Sequence, residues 1–206
     1  MSRHERIRDH YERRIDPVRK SYDVLDWASA QSQHCRFEVL ASQINLDGAT
    51  LLDIGCGLGD LWGFCKDRRI DVYYTGVDIL PKMVEEARSR HPDGHFEVRN
   101  IFQPDPDETD RQFDVVFASG TFNLNLGNNL EFLAAALGRM QQLARKYVVF
   151  NLLHVRRKFE PERYFYSDPE QIAELLKPSG WDWRIVDDYL PNDFTVIVQR
   201  PQNPAG

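Results

Sequence analysis

An α/β fold built on a doubly wound, mostly parallel sheet is the architecture this chain predicts, and three observations predict it. Apolar, strand-like runs alternate with helical stretches from residue 50 to residue 177, the pattern of parallel strands joined by crossover helices. The first apolar run ends in LLDIGCGLGD at 51–60, where an acid is followed by three glycines at alternate positions; such a run reads as a buried strand turning tightly into a helix. The chain finishes with two strand-like runs, about 183–189 and 194–200, joined through Leu190-Pro191-Asn192-Asp193. That terminal hairpin adds one antiparallel strand, for seven strands in all.

Each element follows from local pattern. Residues 1–16 look helical but are charged throughout and poorly anchored. Pro17 can open a second helix running to about Ile44, because Val18, Tyr22, Leu25, Phe37, Leu40 and Ala41 recur at helical spacing. Strands are expected over 50–54, 71–77, 94–99, 113–118 and 146–153. Helices are expected near 58–67, 82–89, 128–144 and 168–177, the last capped by Ser167 or Asp168. No repeat, low-complexity tract or interdomain linker interrupts this series, so a single domain is expected: residues 1–44 as an N-terminal helical lid and 45–206 as an α/β core.

Composition narrows the class. The 206 residues suffice for one well-cored domain, and 42% hydrophobic with 28% charged residues is ordinary for a soluble globular protein. No run approaches the length of a membrane helix, and the charged first twenty residues hold no secretory core. A cytoplasmic protein with no membrane partner is therefore expected. Cys35, Cys56 and Cys65 show neither metal-ligand nor paired-disulfide spacing, so no metal is expected. A net charge of −6 argues against broad binding to nucleic acid, which needs a basic face. Two basic stretches remain, the mixed-sign N-terminus and Arg156-Arg157-Lys158 with Arg163; the second reads either as solvated loop or as substrate contact.

The glycine register discriminates between cofactors. A dinucleotide fingerprint, G-x-G-x-x-G, counted from Gly55 requires glycine at position 60, which is Asp60; the third glycine is Gly59 instead. The sequence Asp53, Gly55, Gly57, Gly59 resembles the D-x-G-x-G-x-G loop of the class I S-adenosylmethionine-dependent methyltransferases. The resemblance covers residues 45–150 through ordered motifs and the whole chain more loosely. It implies a Rossmann-like seven-stranded sheet with one antiparallel C-terminal strand and S-adenosylmethionine as cofactor. That ligand is a cation without pyrophosphate, and an acid at the strand end suits it. A glycine-rich turn without ligand is the plain alternative.

By the same resemblance Asp78, closing the second strand, binds the ribose hydroxyls, with Ile79 packing on the adenine; Asp78 as a helix cap before Pro81 is the other reading, and both can hold. Asn100, beside Ile101 after the third strand, is placed against the adenine amine. Ser119, in ASGTFN after the fourth strand, is placed with the cofactor, and Phe122 and Asn123 with the acceptor. This segment is not the N-P-P-Y type of base-flipping amino methyltransferases, which lowers the expectation of nucleic-acid methylation. It is similar to small bacterial methyltransferases, some of them named after a trans-aconitate enzyme. Tyr164 and Tyr166 line an acceptor pocket or pack a loop. His154 at the end of the fifth strand is the candidate general base, or a strand-end histidine bonded to backbone. The connection after the fifth strand is only about fourteen residues, so the N-terminal helices are expected to be the lid. Arg36 from it pairs with the cofactor carboxylate, or lies exposed. The function expected is methyl transfer to a small-molecule acceptor; an RNA or protein acceptor and a nucleotide-binding protein without transfer are the alternatives. Oligomeric state is open.

Overall fold

The computed structural model describes residues 2–16, 18–103 and 112–201. Pro17, expected to open a helix, lies outside the described residues. The strands form one eight-stranded sheet of order β3-β2-β1-β4-β5-β8-β7, with a two-residue β6 paired to β5. By contacts the chain divides into two compact units, Met1–Pro104 and Asp105–Gly206.

The first unit runs α1 (Arg3–Tyr11), α2 (Ser21–Val24), α3 (Ala30–Gln43), β1 (Thr50–Ile54), α4 (Asp60–Asp67), β2 (Tyr73–Asp78), α5 (Pro81–Arg90) and β3 (Phe96–Val98). Its strands are parallel: Asp53 of β1 pairs with Gly76 of β2, and Asp78 of β2 with Val98 of β3. The apolar run of β1 is buried from Leu51 onward, as expected of a strand covered on both faces. α1 opens with a capping box, Ser2 and Glu5 exchanging side-chain-to-backbone bonds. The long second helix that the spacing predicts is broken into α2 and α3. Asp26 takes a left-handed backbone at φ 63°, and Ser29 restarts the helix by accepting the N–H of Ser32. Asp26 is then clamped by His10 (3.1 Å) and by Arg14 at 2.5 Å. Val24, Leu58, Leu80 and Met83 form a buried cluster, against which Ile7, Tyr11, Ile15, Leu25 and Ile79 pack. The N-terminal segment therefore shares one core with the glycine turn and the start of α5.

The second unit runs β4 (Phe113–Ala118), α6 (Asn129–Leu143), β5 (Ala144–His154), β6 (Tyr166–Ser167), α7 (Pro169–Leu176), β7 (Asp182–Val186) and β8 (Asp193–Gln199). β4 and β5 are parallel, and β8 is antiparallel to both β5 and β7. The single antiparallel C-terminal strand is thus borne out. The count of seven becomes eight, because Tyr166–Ser167 pairs with Leu153–His154; two residues carry no periodicity from which a strand can be read. Among the described residues no helix is long and apolar enough to cross a membrane.

Candidate functional site

Three glycines at the end of β1 all take positive φ: Gly55 at 71°, Gly57 at 55° and Gly59 at 81°. Only glycine adopts this conformation without strain, but the three have different surroundings. Gly55 is exposed. A Cβ on Gly57 would lie 2.7 Å from Leu25 Cδ2. A Cβ on Gly59 would lie 2.7 Å from Phe96 Cζ and 2.9 Å from His91, so this glycine lets α4 approach β3 and α5. The turn is fixed from β2: the N–H groups of Gly55 and Cys56 both donate to Val77 O (2.8 and 3.0 Å), and Gly59 N–H donates to Cys56 O at 3.0 Å.

Three carboxyl groups surround this turn. Asp53 is buried, and the only hydrogen bond to its side chain among the described residues comes from Tyr74 Oη, at 2.8 Å. Burial pushes the Asp53 carboxyl up to about 7; the Tyr74 bond opposes that shift, and the charges of Asp78 and Asp60 add to it. Asp78 is half-buried and accepts the N–H of Gly57 at Oδ2 (3.1 Å) and of Leu80 at Oδ1 (3.0 Å). Its pKa too is raised by burial, against the pull of these backbone donors. The helix-cap reading of Asp78 is not realised, because the N-cap of α5 is Leu80, without a side-chain cap bond; Asp78 instead holds the turn that precedes the helix, and the Gly57 bond ties it to the glycine turn as well. Asp60, at the start of α4, accepts from Gln33 Nε2 at 2.8 Å and from the Ser21 hydroxyl, so α2 and α3 are both fastened to α4.

The other residues of the first unit are placed as follows. Ile79 packs against the apolar cluster of the N-terminal segment. Asn100 Oδ1 accepts the N–H of Phe102 at 3.1 Å, and Ile101 is buried. Arg36 is 2% exposed, which removes the reading of an exposed helix arginine. Its guanidinium stacks on Trp27 at 4.3 Å and donates to Ser32 O.

In the second unit the turn after β4 is tightly held. The Asn151 side chain, fully buried on β5, accepts the N–H of Gly120 (2.9 Å) and donates to Ser119 Oγ (3.1 Å). Asn123 N–H donates to Gly120 O, and Asn123 O accepts from Phe165 N–H at 2.8 Å. Its buried Oδ1 has no donor among the described residues. Phe122 packs edge-on against Phe150. Tyr164 is buried and pairs with Leu124 in an isolated bridge. Tyr166 Oη clasps Phe159, accepting its N–H at 3.0 Å and donating to its carbonyl; Phe159 also stacks on Tyr164 at 5.5 Å. His154 is buried; its Nδ1 accepts the N–H of Arg156 at 3.0 Å, and burial lowers its pKa. With Nδ1 so engaged, the ring proton sits on Nε2.

One group escaped the reading of the sequence as a site residue. Tyr74 was legible only as one of two tyrosines in YYTG; strand alternation decides between them, for Tyr73 is 68% exposed and Tyr74 6%.

Fold and glycine turn together define the class: a doubly wound α/β nucleotide-binding protein. Residues 52–146 match the family described as a methyltransferase domain. The chain is 30% identical over 161 residues, 75% of its length, to the Mycobacterium tuberculosis protein Rv1506c, provisionally named a methyltransferase, and covers 95% of it. It is 30% identical over 173 residues to the malonyl-[acyl-carrier protein] O-methyltransferase of Acetivibrio thermocellus, of whose length it spans 59%. The magnesium protoporphyrin IX methyltransferase of Synechocystis PCC 6803, solved with S-adenosylmethionine, shares the fold at TM-score 0.69 and 17% identity, over 98% of each chain. The chain belongs to the class I S-adenosylmethionine-dependent methyltransferases.

Proposed function

We propose that this enzyme transfers the methyl group of S-adenosylmethionine to a small-molecule acceptor whose attacking oxygen is already ionised. The observation that carries the cofactor assignment is the charge of the glycine turn. Asp53, Asp60 and Asp78 converge on it, and among the described residues no cationic side chain offsets the burial of Asp53. A pyrophosphate would be repelled there, whereas the ammonium of S-adenosylmethionine supplies the missing positive charge. Exposed Gly55 leaves the backbone open to close approach, Asp78 is offered to the ribose hydroxyls, and Ile79, Asn100 and Ile101 to the adenine. Arg36 completes the proposed cofactor set of this unit. When bound, the cofactor supplies an electrophilic methyl on a sulfonium leaving group. The protein supplies orientation and exclusion of water, worth roughly 7–11 kcal/mol in well-aligned systems.

The acceptor class follows from His154. Its Nδ1 lone pair is committed to Arg156 N–H, so it is not free to take a proton in this arrangement. A carboxylate needs no base, and the acyl-carrier relative is named an O-methyltransferase. Phe122, Tyr164 and Tyr166 are the proposed acceptor wall, and the orphan Asn123 Oδ1 would accept an N–H or O–H elsewhere on the acceptor. A protein-borne acceptor is the second reading, favoured by Arg157, Lys158 and 43%-exposed Phe159 on one loop. The test is transfer of radiolabelled methyl from S-adenosylmethionine to panels of carboxylic acids, phenols and amines, and to carrier-bound acids. Base-labile methyl esters of free acids are expected. Labelling confined to amines would overturn the proposal, and labelling confined to carrier-bound acids would establish the second reading.

A further inference from the structure

A carboxylate buried without a counter-cation needs some other device to remain charged. Asp53 is 4% exposed, and the titratable groups around it mostly oppose its ionisation. From β2 comes Asp78 and from α4 comes Asp60, both like charges. Cys56 of the turn and Cys65 of α4 are neutral thiols, the latter pushed up to about 12 by burial. Tyr74, also from β2, is among the described residues the single group that favours the charged form, through the 2.8 Å hydrogen bond it donates. Burial drives the Tyr74 phenol well above its ordinary range, so it stays protonated and remains a donor.

The phenol is built into place. Its ring packs between Trp62, at 5.5 Å, and Phe96, at 5.7 Å in an edge-on arrangement. Room for the hydroxyl is made by Gly76, where a Cβ would lie 2.7 Å from Tyr74 Oη and 3.0 Å from Cys56 Cβ. Gly76 is also the β2 partner of Asp53 in the sheet register, so the same strand pair sets both donor and acceptor.

We infer that Tyr74 is a positioning residue for the cofactor: its hydroxyl orients the buried Asp53 carboxyl group and favours its ionised form, so that the cationic ligand is bound at neutral pH. The inference rests on the proposed pairing of Asp53 with the cofactor ammonium. It makes cofactor binding proton-linked, because a protonated Asp53 must lose its proton when the cation arrives. With Asp53 at about 7, the affinity falls as the pH drops through that value.

The experiment is calorimetry of S-adenosylhomocysteine binding between pH 6 and 8.5, on the parent, Tyr74→Phe and Asp53→Asn. Phenylalanine preserves the ring packing and removes only the donor. Losing one hydrogen bond to a charged group displaces the Asp53 transition upward by about one pH unit. Tyr74→Phe should therefore bind about fivefold more weakly than the parent at pH 7 and within about twofold at pH 8.5. 5′-Methylthioadenosine, which lacks the ammonium, should bind parent and Tyr74→Phe alike at every pH. In the parent, titrations at pH 7 in two buffers of different ionisation enthalpy should show release of about half a proton. Two results overturn the role of Tyr74: a loss that is equal at all pH values or shared by 5′-methylthioadenosine, and no proton release by the parent. Asp53→Asn separates the two layers. It should bind weakly and without pH dependence, and if it binds as the parent does, the Asp53 pairing itself has failed.

Discussion

Gly57→Ala tests whether the glycine turn and the N-terminal segment are one packed unit. The substitution meets two costs. An L residue at φ 55° is strained by about 1–2 kcal/mol, partly offset by about 0.4–1 kcal/mol from a stiffer unfolded chain. The new Cβ would also lie 2.7 Å from Leu25 Cδ2 and 3.2 Å from Cδ1, forcing that side chain off its rotamer for about 0.5–1.5 kcal/mol. Together these give a loss of about 2 kcal/mol. Leu25→Ala removes the obstructing carbons and itself costs about 1–2 kcal/mol, below the range for fully buried leucines because Leu25 is half-buried. In the Leu25→Ala background Gly57→Ala should then cost only about 1 kcal/mol, a coupling of about 1 kcal/mol. Urea unfolding of the four proteins, with unchanged m-values, measures it. A Gly57→Ala cost that is the same in both backgrounds would refute the packing of Leu25 on the turn.

Other substitutions report on single contacts. Asp78→Ala should weaken S-adenosylhomocysteine by about 1.5–3 kcal/mol and destabilise the empty protein, because the N–H groups of Gly57 and Leu80 lose their acceptor. A stability loss with unchanged affinity in calorimetry would leave Asp78 as a structural acceptor for the two turns alone. Arg36→Ala should weaken S-adenosylhomocysteine far more than decarboxylated S-adenosylmethionine, and equal losses would exclude a carboxylate contact. His154→Ala should lower kcat less than the 10²-fold typical of a removed general base. Burial lowers the His154 pKa, so a catalytic limb from it would fall below the ordinary histidine value; no such limb is expected in the parent, and one abolished in His154→Ala would restore the histidine as base.

What the sequence displays is backbone pattern, and the regular elements were legible for that reason. β1 (Thr50–Ile54) and β4 (Phe113–Ala118) match the expected bounds, because apolar runs closed by an acid or a turn leave little choice of register. The break between α2 and α3 was not legible: the helical spacing continues through it, and the stop is a left-handed Asp26 fixed by His10 and Arg14 from earlier in the chain. Its one local trace is Ser29 followed three residues later by Ser32, a weak capping box. At the site, the types and spacing of Asp53, Gly55, Gly57 and Asp78 could be read directly. The partners that set their properties could not, because Tyr74, Leu25, Ser21 and Gln33 reach the turn through tertiary packing. Arg36 illustrates the same limit, for neither its burial nor its stacking on Trp27 has a signature in the surrounding residues.

Under the proposed function, the acidic glycine turn selects a sulfonium nucleoside bearing an ammonium over an anionic dinucleotide. Calorimetry of the parent at pH 8, with S-adenosylmethionine, S-adenosylhomocysteine and NAD in parallel, tests it most directly. Both sulfur ligands should bind at one site, with no heat from NAD, and saturation at a hundredfold excess over Kd should raise stability by about 2.7 kcal/mol. Binding of NAD with no response to either sulfur ligand would contradict this selectivity.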